Sequence, residues 1–257
     1  MSIAIEAAAP SSVLALLESR ALPELGAFWL MRPWLSTTPR GDGHPVLVLP
    51  GLLADDSSTK PLRDFLASHG YRAHGWKLGR NRGLRGNVES NMRARLDELF
   101  VRYDSRKVSL VGWSLGGLYA RQLAKLAPAK VRSVITLGSP FAGTPASTPA
   151  STNMWQAYEW ASGSKIGTPS LLSEGLAEPP PVPTTSIFSR TDGICAWQTC
   201  LNVESEQAEN IEVHASHCGL GHHPAAVYAV ADRLAQPEGA WKKFDRTTGW
   251  RPLTFPR

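Results

Sequence analysis

Apolar and polar positions follow two rhythms along this chain. Before Gly41 the apolar residues recur at helical spacing: SSVLALLESRAL opens on N-cap serines, and PELGAFWLMRPWL follows, rich in Trp and Phe. STTPRGDGH then reads as a linker. From Pro45 onward the pattern switches between short apolar runs and amphipathic stretches. Val46–Pro50 (VLVLP) predicts a fully apolar strand, and Ser58–Gly70 a helix that stops on its glycine. Tyr71–Leu78 predicts a strand and Asn87–Tyr103 a long helix. KVSLVGWS, Lys107–Ser114, is a strand running into a helix that stops near Pro128, and Val131–Phe141 holds the next strand. Strand–helix alternation of this kind argues for a parallel sheet covered on both faces.

The rhythm breaks after Phe141. TPASTPAST, Thr144–Thr152, reads as a flexible connection, NMWQAYEWASG as a short aromatic helix, and GLAEPPPVP as a stiff Pro-rich segment. Strands resume in TTSIFSRTDG and NIEVHASH, and PAAVYAVADRLAQ predicts a last helix. The tail carries Trp241, Phe244, Trp250 and Phe255 among polar residues, as an arm packed on the body would. Three parts follow: an N-terminal helical extension over 1–40, an α/β domain over 41–257, and within it an insertion at about 144–183. The expected fold class is α/β, a mostly parallel sheet of about six strands with helices on both faces.

The strand-to-helix junction at Val108–Leu126 carries the chemistry. Its GWSLG turn sets Gly112 and Gly116 two residues either side of Ser114, with Gly117 next. Strand, G-x-S-x-G and helix together describe a nucleophile elbow, in which the chain turns so sharply that the serine stands at the apex. An alcohol needs a base to take its proton, and the base needs a carboxylate to hold its tautomer. Such groups gather at the carboxyl ends of strands, in the order Ser, Asp or Glu, His. Asp192, just past SIFSRT, and His217, just past NIEVHAS, meet both conditions. His214 reads as a residue inside the strand, and His222 and His223 as residues opening the last helix. Asp232 and Asp245 break the chain order. The tetrahedral intermediate would draw on backbone N–H groups of Leu115, after the nucleophile, and Leu52, in the PGLL turn after the first strand.

Composition narrows the rest. With 257 residues, 42% hydrophobic, the chain suits one domain with a sizeable core. The net charge of +5 sits largely in Lys77, Arg80, Arg82, Arg85, Arg93 and Arg95. Without interleaved aromatics these read as a solvated face, and no nucleic-acid partner is expected. The N-terminus lacks the charged region and continuous apolar run of a signal peptide, and no apolar stretch approaches the roughly 18 residues of a membrane span. A soluble, cytoplasmic protein is the expectation. Cys200 and Cys218 flank one region and could pair. His214, His217, Cys218, His222 and His223 cluster in sequence, but positions three apart on a strand face opposite sides and no zinc-type spacing appears. No metal and no cofactor are expected.

From about Pro45 to Gln236 the chain resembles the α/β-hydrolase superfamily, in its bacterial lipase and esterase branch. VLVLPGLL is similar to the strand and oxyanion turn of those enzymes, GWSLGG to their elbow, and TLGSPFAGTP to the strand leading to the lid. SRTDGI and SHCGLGHHP are similar to their acid and base segments. The resemblance implies an eight-stranded parent sheet reduced here to about six, with the N-terminal helices replacing the first strands. It also implies a serine hydrolase acting on small or lipid-like esters. Three functions remain open: an esterase or lipase, an acyltransferase or thioesterase or amidase on the same triad, and a non-catalytic binding protein. The insertion takes the place of a lid. Met154, Trp155, Tyr158 and Trp160 either line an acyl pocket or pack on the core, and Trp113 borders or underlies the site. The N-terminal aromatic helices offer a homodimer surface.

Overall fold

The computed structural model describes residues 7–142, 152–163, 171–172 and 175–256, with backbone alone for 152–155. Three short helices lead: α1 (Ser12–Leu16), whose Leu14 amide donates to the Ser11 hydroxyl, α2 (Ala21–Leu30) and α3 (Arg32–Leu35). The alternating region runs β1 (Pro45–Leu49), α4 (Lys60–Ser68), β2 (Arg72–Gly75), α5 (Val88–Arg102), β3 (Val108–Trp113), α6 (Leu115–Leu126) and β4 (Val131–Leu137). After α7 (Thr152–Ser162) come β5 (Thr184–Phe188), β6 (Ala208–Glu212), α8 (Pro224–Leu234) and α9 (Arg251–Thr254).

All six strands pair in parallel, in the order β2-β1-β3-β4-β5-β6. Residue parity explains why they are apolar throughout. In β1, Val46 and Val48 join one buried cluster while Leu47 and Leu49 join the other; β3 and, from Ser133 onward, β4 divide the same way. The first cluster fills under α4, α8 and the N-terminal helices, and the second under α5, α6 and α7. A sheet buried on both faces needs this composition.

Boundaries differ from the sequence pattern where side chains capture backbone. The strand expected over 71–78 ends at Gly75, because the Trp76 and Lys77 amides turn onto the Asp56 carboxylate, both at 3.0 Å. His214 is not inside a strand: β6 stops at Glu212 and His214 is exposed beyond it. The face of cations is only partly solvated, since Arg95 is buried and reaches the Gly75 carbonyl and Glu98. Cys195 and Cys200 are buried and Cys218 exposed, and no disulfide joins Cys200 to Cys218.

The aromatic termini meet. Trp34 stacks on Tyr228 at 5.0 Å between centroids, and Trp250 packs edge-on against both. Phe244 and Phe255 bury beside them. Phe28 is also buried, whereas Leu22, Trp29 and Leu30 face outward. Among the described residues no helix is long and apolar enough to cross a membrane.

Candidate active site

Ser114 sits between β3 and α6 with φ 52° and ψ −120°, a conformation that non-glycine residues seldom adopt and that costs on the order of 1–3 kcal/mol. Its surroundings impose it. The Ser114 amide donates to the Leu137 carbonyl at 2.8 Å, tying the turn to the end of β4. A Cβ at Gly116 would strike the backbone of Leu49 and Pro50, and one at Gly117 would overlap the Ser139 hydroxyl. The glycines are therefore needed for close approach, which lets α6 start directly over the strand ends.

The PGLL turn lies against the serine: a Cβ on Gly51 would be 3.3 Å from that of Ser114. Leu53 is held at φ 62°, its amide donating to the Asn81 carbonyl at 2.6 Å, and the Asn81 amide returns to Ala54. The fully buried Asn81 side chain donates to the Pro50 carbonyl at 2.9 Å and accepts from Gly83 N–H and the Tyr119 hydroxyl. Asn81 thus fastens the turn at both ends. No sequence signal marked it.

Asp192 follows β5 and His217 follows β6, and both are buried. His217 Nδ1 meets Asp192 Oδ2 at 2.6 Å, while Asp192 Oδ1 accepts the amides of Ile194 and Cys195. Burial pushes the imidazole toward its neutral form, but Asp192, by charge and by hydrogen bond, and then Glu18 more than offset this and raise its pKa above the ordinary value. Contacts link this pair to the elbow. Trp113 Nε1 donates to the His217 carbonyl at 3.0 Å, and a Cβ on Gly138, which follows Leu137, would lie 3.1 Å from His217 Nδ1 and 3.2 Å from Asp192 Oδ2. No hydrogen bond joins Ser114 to His217 among the described residues.

The segment around His217 is held from outside by residues the sequence reading passed over. The Glu18 carboxylate accepts from the amides of Gly193, His217 and Cys218 at 2.8–2.9 Å. These three donors offset its burial and lower its pKa. Glu24 accepts from the Ser216 amide and hydroxyl, and Arg20 donates to the Thr191 carbonyl and hydroxyl. The N-terminal helices therefore strap both loops that carry the charged pair.

The rival residues have other duties. Asp232 is paired with Arg233 and Arg251, and Asp245 accepts from Thr247 and Thr248 in the tail. His222 Nε2 lies 2.9 Å from the Ala21 carbonyl, and His223 precedes α8. Among the described residues one trio of potential metal donors converges, Asp192, Cys195 and His217. Two of these are already joined by the hydrogen bond above, and burial pushes the Cys195 thiol well up, away from the thiolate a metal needs. Tyr158 is buried in the cluster under α5 and α6, and its hydroxyl accepts from Leu84 N–H at 3.4 Å. Trp160 is exposed, and the Met154 and Trp155 side chains lie outside the described residues.

A family model for palmitoyl protein thioesterase matches residues 45–174, half of the chain, from β1 past the elbow to the insertion. The chain belongs to this family. Among solved structures, the chain is similar to a pyrethroid hydrolase from Sphingobium faniae JZ-2, with 18% identity, 76% of this chain and 98% of that one covered, and a TM-score of 0.55. It is similar to a Bacillus licheniformis lipase in propeptide form, at 17% identity over 81% and 54% and a TM-score of 0.54. An α/β hydrolase from a sediment metagenome of the Mar Chica lagoon, Morocco, gives 19% over 72% and 87% and a TM-score of 0.50. These likenesses establish the α/β-hydrolase fold. No curated protein sequence matches significantly.

Proposed function

We propose that the chain is a serine hydrolase of acyl esters and thioesters. Ser114 would be the nucleophile, His217 its general base and Asp192 the group that orients the base. The observation that carries this reading is the strained serine at the elbow, combined with the 2.6 Å Asp192–His217 hydrogen bond at the ends of the strands two and three places away in the same sheet. Asp192 fixes the proton on Nδ1, so Nε2 can accept from the serine. The Ser–His contact tightens as substrate binds, as is common for catalytic hydrogen bonds in free enzymes. Attack would give a tetrahedral oxyanion facing the amides of Leu52 and Leu115. Leu52 is the candidate within its turn because the next amide, Leu53, is spent on Asn81. His217 then passes its proton to the leaving group, and water repeats the sequence on the acyl-enzyme.

The family match favours thioesters within this class, since a thiol leaves more readily than an alcohol and the same machinery serves both. Reaction with a fluorophosphonate probe, followed by peptide mapping, tests the assignment. Label on Ser114 that butanoyl thioester competes away supports it. Absence of label, or label on another residue, overturns it.

A further inference from the structure

Beside the oxyanion turn the structure opens a cleft of about 410 Å³, lined by Leu53, Arg80, Arg82, Arg85, Trp160 and Ala161. Half of this lining is apolar and half is arginine. The three guanidiniums fall within six residues of the β2–α5 loop, and none forms an ion pair with a described carboxylate. Arg80 acts on Asp55 only at a distance, through its charge. Arg85 spends its Nε on the Ser162 carbonyl at 2.6 Å, which ties the end of α7 to the rim. Leu53 is 44% and Trp160 76% exposed, so two large apolar side chains stand open at a charged mouth. The cleft is close to the chemistry. Leu53 is two residues from Gly51, a backbone reach of about 7 Å at most, and Gly51 packs on Ser114.

A cleft that sets three permanently charged forks beside apolar side chains is poorly matched to a neutral ester. Guanidiniums hold phosphate oxygens by paired, charge-assisted hydrogen bonds, and one singly charged carboxylate would leave most of the donors idle. We propose that this cleft binds the leaving-group half of the substrate and that this half carries a phosphate: a phosphorylated thiol or alcohol on an organic arm. The inference rests on the hydrolase reading of Ser114. In the step it serves, a bond forms between Ser114 Oγ and the acyl carbon and the carbon–sulfur or carbon–oxygen bond breaks. The serine proton, carried by His217, ends on the phosphate-bearing leaving group.

Matched substrates test it. Hexanoyl-pantetheine and hexanoyl-4′-phosphopantetheine differ by one phosphate, as do 1-hexanoylglycerol and its 3-phosphate, so the two pairs also separate a thiol carrier from a glycerophosphate. The wild-type chain should favour the phosphorylated member of at least one pair by about tenfold or more in kcat/KM, mainly through KM. That advantage should shrink as salt is raised. In the R80A/R82A variant the ratio should fall toward one. Equal rates on both members of both pairs, or a ratio untouched by R80A/R82A, overturns the proposal. Calorimetry of 4′-phosphopantetheine and glycerol 3-phosphate, against their unphosphorylated forms, separates the two readings. Phosphate-dependent binding without turnover sinks the hydrolase reading and keeps the cleft; turnover without phosphate preference does the reverse.

Discussion

The two halves of the candidate site are built by different means. The nucleophile half is local: Ser114, the glycines around it and Leu115 come from one strand–turn–helix unit, and Gly112 and Gly116 pack directly on backbone in the middle of the sheet. The base half stands on loops after the last two strands, and much of its hydrogen bonding comes from Glu18, Arg20 and Glu24, some 171–200 positions away. One half is positioned by steric exclusion, which allows little movement. The other is positioned by carboxylates accepting from amides, which gives way when a single side chain changes.

Variants can break or sharpen that contrast. The largest effects should come from the reacting groups, which act as a unit across both halves. Ser114→Ala and His217→Ala should each lower kcat/KM on a p-nitrophenyl ester by roughly 10³-fold or more while folding normally by circular dichroism. Wild-type turnover in either would remove the triad assignment. Asp192→Asn should be nearly as severe, because the amide favours the wrong imidazole tautomer; full activity there, with Asp232→Asn inactive, would move the acid elsewhere.

Asn81→Ala probes the support of the nucleophile half. Loss of three side-chain hydrogen bonds to the oxyanion turn and its neighbours should reduce kcat about 10²-fold with little change in KM. An effect confined to KM would show that the turn does not serve the transition state.

Glu18→Gln probes the other half, with a smaller loss of roughly tenfold in kcat. It carries a signature that a purely structural role would lack. Glu18 raises the pKa of His217, so neutralising it should lower that pKa. The base must be neutral to act, and the acid limb of the kcat/KM profile should therefore move to lower pH. Hydrogen exchange at Gly193, His217 and Cys218 should also quicken. A limb that stays in place while the melting temperature falls would reduce Glu18 to packing. The smallest catalytic effect belongs to Asp232→Asn. It should leave kcat/KM within about twofold and lower Tm by roughly 5 °C, since Arg233 and Arg251 lose their shared carboxylate.

The same contrast explains what could be read from the chain in advance. The elbow is legible because its requirement is local: glycines where no Cβ fits, spaced by a fixed geometry. Asp192 and His217 are legible one step less directly, through chain order and strand ends. Asn81 and Glu18 are not, because neither sits in a spacing pattern and each matters through contacts to distant backbone. Strand–helix alternation announced a parallel sheet covered on both faces, while the early end of β2 depended on Asp56, which lies outside that strand. The arginines read as a solvated face only because the pattern cannot show that Leu53 and Trp160 close a cleft around three of them.

The strap also sets an order of events during synthesis. Glu18 and Glu24 leave the ribosome well before residues 193 and 216–218, whose amides they receive. At about 5–20 residues per second, the N-terminal helices wait roughly 10–40 s for their seats. Over that interval Trp34 lacks the α8 residue Tyr228 on which it ends stacked. The elbow and its sheet neighbours can assemble well before this, so the nascent chain passes through a stage with a formed nucleophile turn and no base beside it. Acyl transfer would begin only when a later-made part of the chain is fastened by an earlier one.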